Sequence, residues 1–193
     1  IGNEPQNSGY LKVVQNIDLR PEAMKIRNLL GVAPNHLVFT PDGKWLIVSA
    51  GLLNAVVLVD IGEDKEKNNR VAGYLPTLWY PHTLEITPDG KELFLTSGKG
   101  KGTGTNKPNR PFQPGQNPGT YAPELLQGSL HRLDFKEAVQ NLDQYTRAVL
   151  RNNQLDQETI LNEMKALSFN PIRHVIYVIM ENRTYDQVFG DLE

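Results

Sequence analysis

The sequence predicts a mainly β protein, built from repeated strand–turn–strand units and followed by two helices and one further apolar strand. Three observations carry this. The stretch Thr-Pro-Asp-Gly-Lys occurs twice, at Thr40–Lys44 and Thr87–Lys91, 47 residues apart. Both copies are followed by β-prone apolar runs, Trp45-Leu46-Ile47-Val48 and Glu92-Leu93-Phe94-Leu95. Beyond Asp134 the apolar residues recur at helical spacing, and a continuous apolar run then extends from Val175 to Met180.

Composition bounds the answer. At roughly 150 residues per domain, 193 residues make one large domain or pieces of two. With 39% hydrophobic and 22% charged residues the chain is too apolar for a disordered tail. Its 16 glycines and 13 prolines call for many turns. A net charge of −2 gives no global pull toward nucleic acid or anionic lipid. The absence of cysteine excludes disulfides, thiolate nucleophiles and Cys-based metal centres. No apolar run approaches the ~20 residues of a membrane span. The sequence opens at Ile1 with no basic-then-apolar leader, so the expectation is a piece of a longer polypeptide.

In chain order, a strand is expected near Tyr10 to Leu19. Each of the two units that follow reads strand, turn, strand. Proline presets φ at the first central turn position, Asp bonds back to the backbone, and Gly takes positive φ. Ala55-Val56-Val57-Leu58-Val59-Asp60 supplies a third strand to the first unit. A period in the forties with three or four short strands is the pattern of a β-propeller blade. The alternative is one hairpin repeated within another all-β fold. Residues 30 to 97 resemble the YVTN-type propeller repeat, in its Pro-Asp-Gly hairpin and its Asn-x-Val stretch closing on Val-x-Asp, here Asn54 to Asp60. The expectation is therefore a partial β-propeller of about two to three blades over residues 1–135. That number cannot close a ring of four to eight.

From residue 98 to 127 the pattern dissolves into Gly, Lys, Asn, Pro and Gln. The Lys99–Gly104 stretch fails the phosphate-loop template, because no Gly-Lys pair is followed by Ser or Thr. The remaining readings are a flexible loop, or a docking loop with Lys99, Lys101, Lys107 and Arg110 as candidate anion contacts. His36, His82, His131 and His174 form no paired ligand motif and read as turn or core residues.

Residues 136–170 read as a helical linker. Asp134 and Glu137 have capping-box spacing, and Val139, Leu142, Tyr145 and Val149 mark one helix from Lys136 to Asn152. Asp156 caps a second helix carrying Ile160, Leu161, Met164 and Leu167, which Asn170-Pro171 ends. Arg173 to Met180 then reads as a strand buried on both faces, as in an α/β sheet. Polar residues follow at once in Glu181-Asn182-Arg183-Thr184-Tyr185-Asp186. A carboxylate beside an amide carbonyl at a strand's carboxyl end suits a divalent cation, with helix capping as the alternative. Asn182-Arg183-Thr184 is formally a glycosylation sequon, discounted because it follows a buried strand.

The stretch from His174 to Asp191 resembles the opening of the phosphoesterase family in the alkaline phosphatase superfamily, which includes phospholipase C-like and acid phosphatase-like enzymes. The resemblance implies that residues 171–193 are the first strand and metal-ligand motif of an α/β phosphatase domain. It makes Glu181 and Asn182 ligands of a divalent metal ion, places Asp186 behind them, and implies a periplasmic or extracellular setting. The family's nucleophile and its Asp and His ligands lie further downstream. The functional expectation is a metal-dependent phosphoesterase acting on phosphate esters, with a propeller module ahead of it. The alternative is a non-catalytic propeller scaffold or binding module.

Overall fold

A computed structural model of the chain describes residues 13, 15–62, 69–102, 126–168 and 173–179. It is mainly β, with two antiparallel sheets. The first is a four-stranded meander of β1 (Pro34–Phe39), β2 (Trp45–Ala50), β3 (Ala55–Asp60) and β4 (Arg70–Pro76). The second contains β5 (Trp79–Ile86), β6 (Glu92–Gly100) and β7 (Ser129–Asp134), in that order. A short helix α1 (Glu22–Ile26) precedes them, and α2 (Phe135–Gln140), α3 (Leu142–Asn152) and α4 (Gln157–Ser168) follow.

The 47-residue repeat holds at the level of single hydrogen bonds. In the first turn Thr40 Oγ1 donates to Asp42 Oδ1 at 2.6 Å and accepts from Trp45 N at 3.0 Å, while Lys44 N donates to Asp42 Oδ1 at 3.1 Å. In the second turn Thr87, Asp89, Lys91 and Glu92 repeat these bonds at 2.6, 3.0 and 3.1 Å. Gly43 and Gly90 take φ of 70° and 71°, the left-handed conformation that glycine adopts without a Cβ penalty. Even the strain repeats: Ala33 and Tyr80, also 47 apart, both have positive φ, 51° and 61°.

These turns make the fold acid-sensitive. Hydrogen bonds from Thr87 and Lys91 hold the Asp89 carboxyl at about 2, and those from Thr40 and Lys44 lower Asp42 in the same way. A group whose folded pKa is depressed binds its proton more readily when unfolded. Stability is therefore expected to fall as pH drops from about 4 toward 2. Thermal midpoints measured across that range should fall less steeply for Asp89→Asn than for the parent; equal slopes would remove Asp89 from the effect.

Packing divides the strands into two cores. The strand period of two sends alternate residues to opposite faces. Val48, Ala50, Ala55, Val57 and Val59 of the first sheet point one way, onto Val32, Tyr74, Val149 and Leu155. Ile47, Val56, Leu58 and Leu75 point the other way, onto Leu84, Leu93 and Leu95 of the second sheet and Phe135, Ala138 and Leu142 of the helices. The first sheet is thus sandwiched, and the second is packed through the face that meets it.

Several expectations change in detail. The single helix expected from Lys136 to Asn152 breaks at Asn141, whose backbone (φ −101°, ψ 15°) leaves the helical path. Its amide side chain bonds back to Glu137 O at 3.0 Å and ends α2. The cap expected at Asp134 is present, accepting from Glu137 N at 2.8 Å. Asp156 likewise accepts from Thr159 N at 3.0 Å at the start of α4. Of the strand expected near Tyr10 to Leu19, residues 15–19 carry no strand and the rest, Val13 apart, lies outside the described residues. That stretch is fastened by Tyr74, whose hydroxyl donates to Leu19 O at 3.1 Å, and by Gln15 Nε2 on Asn69 O. The apolar run expected to be a strand also differs. Residues 173–179 form no strand, and Val175 to Ile179 are 70–90% exposed. Among the described residues no strand pairs with this segment, and a run apolar on both faces needs two covers.

Candidate functional site

Side-chain hydrogen bonds cross between the two sheets at the end where β1 and β5 begin, β2 and β6 end, and β3 and β7 begin. Two register shifts near Pro81 bend the start of β5 away from the regular ladder with β6. Its backbone groups are taken up by side chains of the first sheet instead. Asn35 Nδ2 donates to Pro81 O at 2.9 Å, and Ser49 Oγ donates to His82 O at 2.7 Å. Leu84 N donates to His36 Nδ1 at 3.3 Å, and Tyr80 N donates to Asn54 Oδ1 at 2.9 Å. Asn54 reaches Tyr80 from a left-handed backbone at φ 49°.

Ser49 is the pivot of this seam. It is fully buried and joins three strands, since its Oγ also accepts from His36 N at 3.0 Å. Its counterpart 47 residues on, Thr96, accepts from Thr83 N at 3.1 Å in the same way. Ser49→Ala leaves the carbonyl of His82 and the amide of His36 without this partner. The expected loss is about 1–3 kcal/mol, read from denaturant unfolding; an unchanged midpoint would show that water replaces the hydroxyl.

The seam presents a definite set of groups to solvent. Bonded through Nδ1, a neutral His36 ring carries its proton on Nε2. His82 and Thr83 are exposed beside it, with His82 Nδ1 3.2 Å from Thr83 Oγ1. Lys99 Nζ stands 5.2 Å from the centre of the Tyr80 ring, a cation–π geometry. Trp79 is half exposed at the same edge. These groups can hold a polar or anionic ligand. Ser129 Oγ lies 2.8 Å from His131 Nε2, but no carboxylate among the described residues is bonded to His131 to complete a catalytic triad. Opposite Ser129 in the ladder, Ser97 Oγ is buried without a hydrogen-bond partner.

Of the residues singled out in the sequence, Lys99 is at this seam and Lys101 is exposed one turn beyond β6. Lys107 and Arg110 lie outside the described residues, as do Glu181, Asn182 and Asp186. Among the described residues no three His, Cys, Asp or Glu side chains are grouped as metal ligands. Asn35, His36, Ser49, Asn54 and Tyr80 were not legible as a group in sequence. Aligning the repeat past its turn would have paired Ser49 with Thr96 and Ala33 with Tyr80.

A separate cleft of about 1010 Å³ lies between α1, β4 and α3. Arg20, Lys25, Arg147 and Arg151 line it together with Glu22 and Asp156. Its charges are partly matched internally. Arg20 holds the Asp18 carboxyl at about 2 through hydrogen bonds, and Lys25 pairs with Glu22 at 3.4 Å. Burial pushes the nearby Tyr74 phenol well above its ordinary value, with the Asp18 charge adding to it.

No family model matches the chain, and no curated protein matches it. Solved structures similar to part of this chain include the following three. A functionally unknown protein from Desulfotomaculum acetoxidans is 23% identical, over 34% of this chain and 20% of its own, with a TM-score of 0.32. Kuenenia stuttgartiensis hydrazine synthase is 25% identical, over 47% and 21%, with a TM-score of 0.30. A hypothetical selenium-binding protein from Sulfolobus tokodaii is 19% identical, over 61% and 26%, with a TM-score of 0.37. The matched region thus spans between a fifth and about a quarter of those chains.

Proposed function

We propose that the chain belongs to a metal-dependent phosphoesterase, in which repeated β units of a propeller precede a hydrolase domain that opens at residues 171–193. One observation carries this reading. Val175 to Ile179 are uncovered although strongly apolar, and they lead straight into Glu-Asn-Arg-Thr-Tyr-Asp. Such a run finds its cover in an α/β sheet, and that sheet's carboxyl edge is where ligands bind. The carboxylate of Glu181 and the amide oxygen of Asn182 are hard donors that fit a divalent cation. A bound cation there supplies charge to phosphoryl oxygens during ester hydrolysis. Glu181 and Asn182 hold it, and Asp186 orients its neighbours from behind. In the family that this stretch resembles, the nucleophile and the remaining ligands lie further downstream.

The test uses the full reading frame that contains this sequence. Glu181→Gln is expected to lower both metal content and phosphoester turnover, the latter by on the order of 10–100-fold or more, with little change in thermal midpoint. Full metal occupancy with unimpaired turnover removes Glu181 from the site. The 193-residue chain alone is expected to show no turnover of a chromogenic phosphomonoester or diester.

A second reading, a binding module without catalysis, is favoured by the exposed His36, His82, Thr83 and Lys99 at the strand-end seam, which form no catalytic constellation. Absence of turnover by the full protein in the presence of divalent metals would favour it.

A further inference from the structure

The chain carries a net charge of −2, yet the cleft between α1, β4 and α3 concentrates cations. Arg20 and Lys25 line it from the α1 side and Arg147 and Arg151 from α3, against the carboxylates of Glu22 and Asp156. Both carboxylates are already engaged. Glu22 pairs with Lys25 at 3.4 Å. Asp156 accepts from Thr159 N at 3.0 Å and from Thr159 Oγ1 at 2.7 Å, and Arg151 reaches it only through its field.

The three guanidinium groups differ in how they are held. Among the described residues, those of Arg147 and Arg151 make no hydrogen bond or ion pair. One helical turn apart on α3, they have Cβ atoms about 5–6 Å from each other, close enough to grip one ligand together. Arg20 is fixed instead. Its Nε and Nη2 donate to Asp18 and its Nη1 donates to Leu29 O at 3.0 Å, with N–H groups to spare on Nη1 and Nη2. Such planar forks match the oxygens of a phosphate group better than point charges do. Beside them Ala23, Val71, Leu150 and Leu155 give the cleft an apolar wall. Its volume of about 1010 Å³ stands at the upper end of the ~300–1,000 Å³ range of small-molecule sites.

We propose that this cleft binds the phosphate monoester of a small organic molecule. The phosphate lies on Arg147, Arg151 and Arg20, and the organic group lies against the apolar wall. Charge selects the monoester. Four cations against two carboxylates leave two positive charges in excess, which a phosphate monoester dianion balances and a carboxylate or a phosphodiester does not. The inference needs neither reading above. The cleft shares no residue with the strand-end seam, and Glu181 and Asn182 lie outside the described residues.

The test titrates the chain with phenyl phosphate, followed by calorimetry and by the amide NMR signals of Ala72, Gly73 and Tyr74 along the cleft. Saturation is expected in the millimolar range, with shifts centred on those amides. Inorganic phosphate should bind on the order of 10-fold more weakly, because it leaves the apolar wall wet. Benzoate, with one charge, should also be weaker. Arg147→Gln and Arg151→Gln should each cost on the order of 10-fold in affinity for phenyl phosphate. Both are exposed helix positions at which glutamine keeps helix propensity, so thermal midpoints should hold. Should either variant unfold, Arg147→Lys takes its place and should still weaken binding, since an ammonium lacks the fork. Arg132→Gln, outside the cleft, should leave affinity unchanged. No histidine lines the cleft, so affinity should fall from about pH 7 to pH 5 as the ester loses its second charge.

No saturation by phenyl phosphate overturns the proposal, as does unchanged affinity in the Arg147 and Arg151 variants. Shifts centred on His82 and Lys99 overturn it in favour of the seam. Equal affinity for inorganic phosphate overturns the organic ester, and equal affinity for benzoate overturns the dianion.

Discussion

Gly73→Val is expected to lower the thermal midpoint by on the order of 3–18 °C, at about 2–4 °C per kcal/mol for a protein of this size. Gly73 lies in β4 beneath α3, and the helix comes so close that no side chain fits. A Cβ at position 73 falls 2.5 Å from Thr146 Oγ1 and 2.7 Å from Leu142 Cγ. Inserting carbon atoms there forces the helix away from the sheet, at a cost of about 1–3 kcal/mol. The shift also strains the bond from Tyr74 N to Thr146 Oγ1, 2.9 Å long, which contributes about 0.5–1.5 kcal/mol. Circular dichroism melts of Gly73→Ala and Gly73→Val should show a graded loss. Combined with Thr146→Ala, the cost of Gly73→Ala should shrink, because the closest clashing atom is gone. Equal midpoints for the parent and Gly73→Val would show that α3 does not press on β4.

Leu84→Ala and Leu37→Ala are expected to differ sharply, although the repeat makes them the same position. Leu84 is enclosed between the sheets, and its truncation removes buried methyl groups and leaves a cavity, at a cost of about 2–5 kcal/mol. Leu37 is more than half exposed in this chain, and its truncation should cost under about 1 kcal/mol. Urea denaturation of both variants measures the difference. Similar losses would mean that Leu37 is covered in the 193-residue chain.

Local chemistry was the most legible layer of this sequence. Thr-Pro-Asp-Gly-Lys specifies its turn through bonds that reach no further than five residues, so both copies could be read without knowing what packs around them. The caps at Asp134 and Asp156 were legible for the same reason. The break at Asn141 was not, because helical spacing of apolar residues runs straight through it and Asn tolerates either conformation. The exposed run at residues 173–179 shows the other limit. Its β propensity is plain in Val175, Ile176 and Val178, but a strand is a relation between segments, and propensity cannot supply the partner.

The candidate site divides along the same line. The Glu181-Asn182 pair is a contiguous motif, read from sequence alone and outside the described residues, while the strand-end seam joins Asn35, Ser49, Asn54 and Tyr80 across separations of 26 to 46 residues. The sequence by itself determined the repeat, its turns, the switch to helix after Asp134 and the residue chemistry available to a cation. Only the tertiary structure decided which face of each repeat is covered. Leu37 and Leu84 carry the same side chain in the same local frame, and one is exposed while the other is buried. Burial is set by what lies across the sheet, so two copies of one local pattern acquire different energies and different roles.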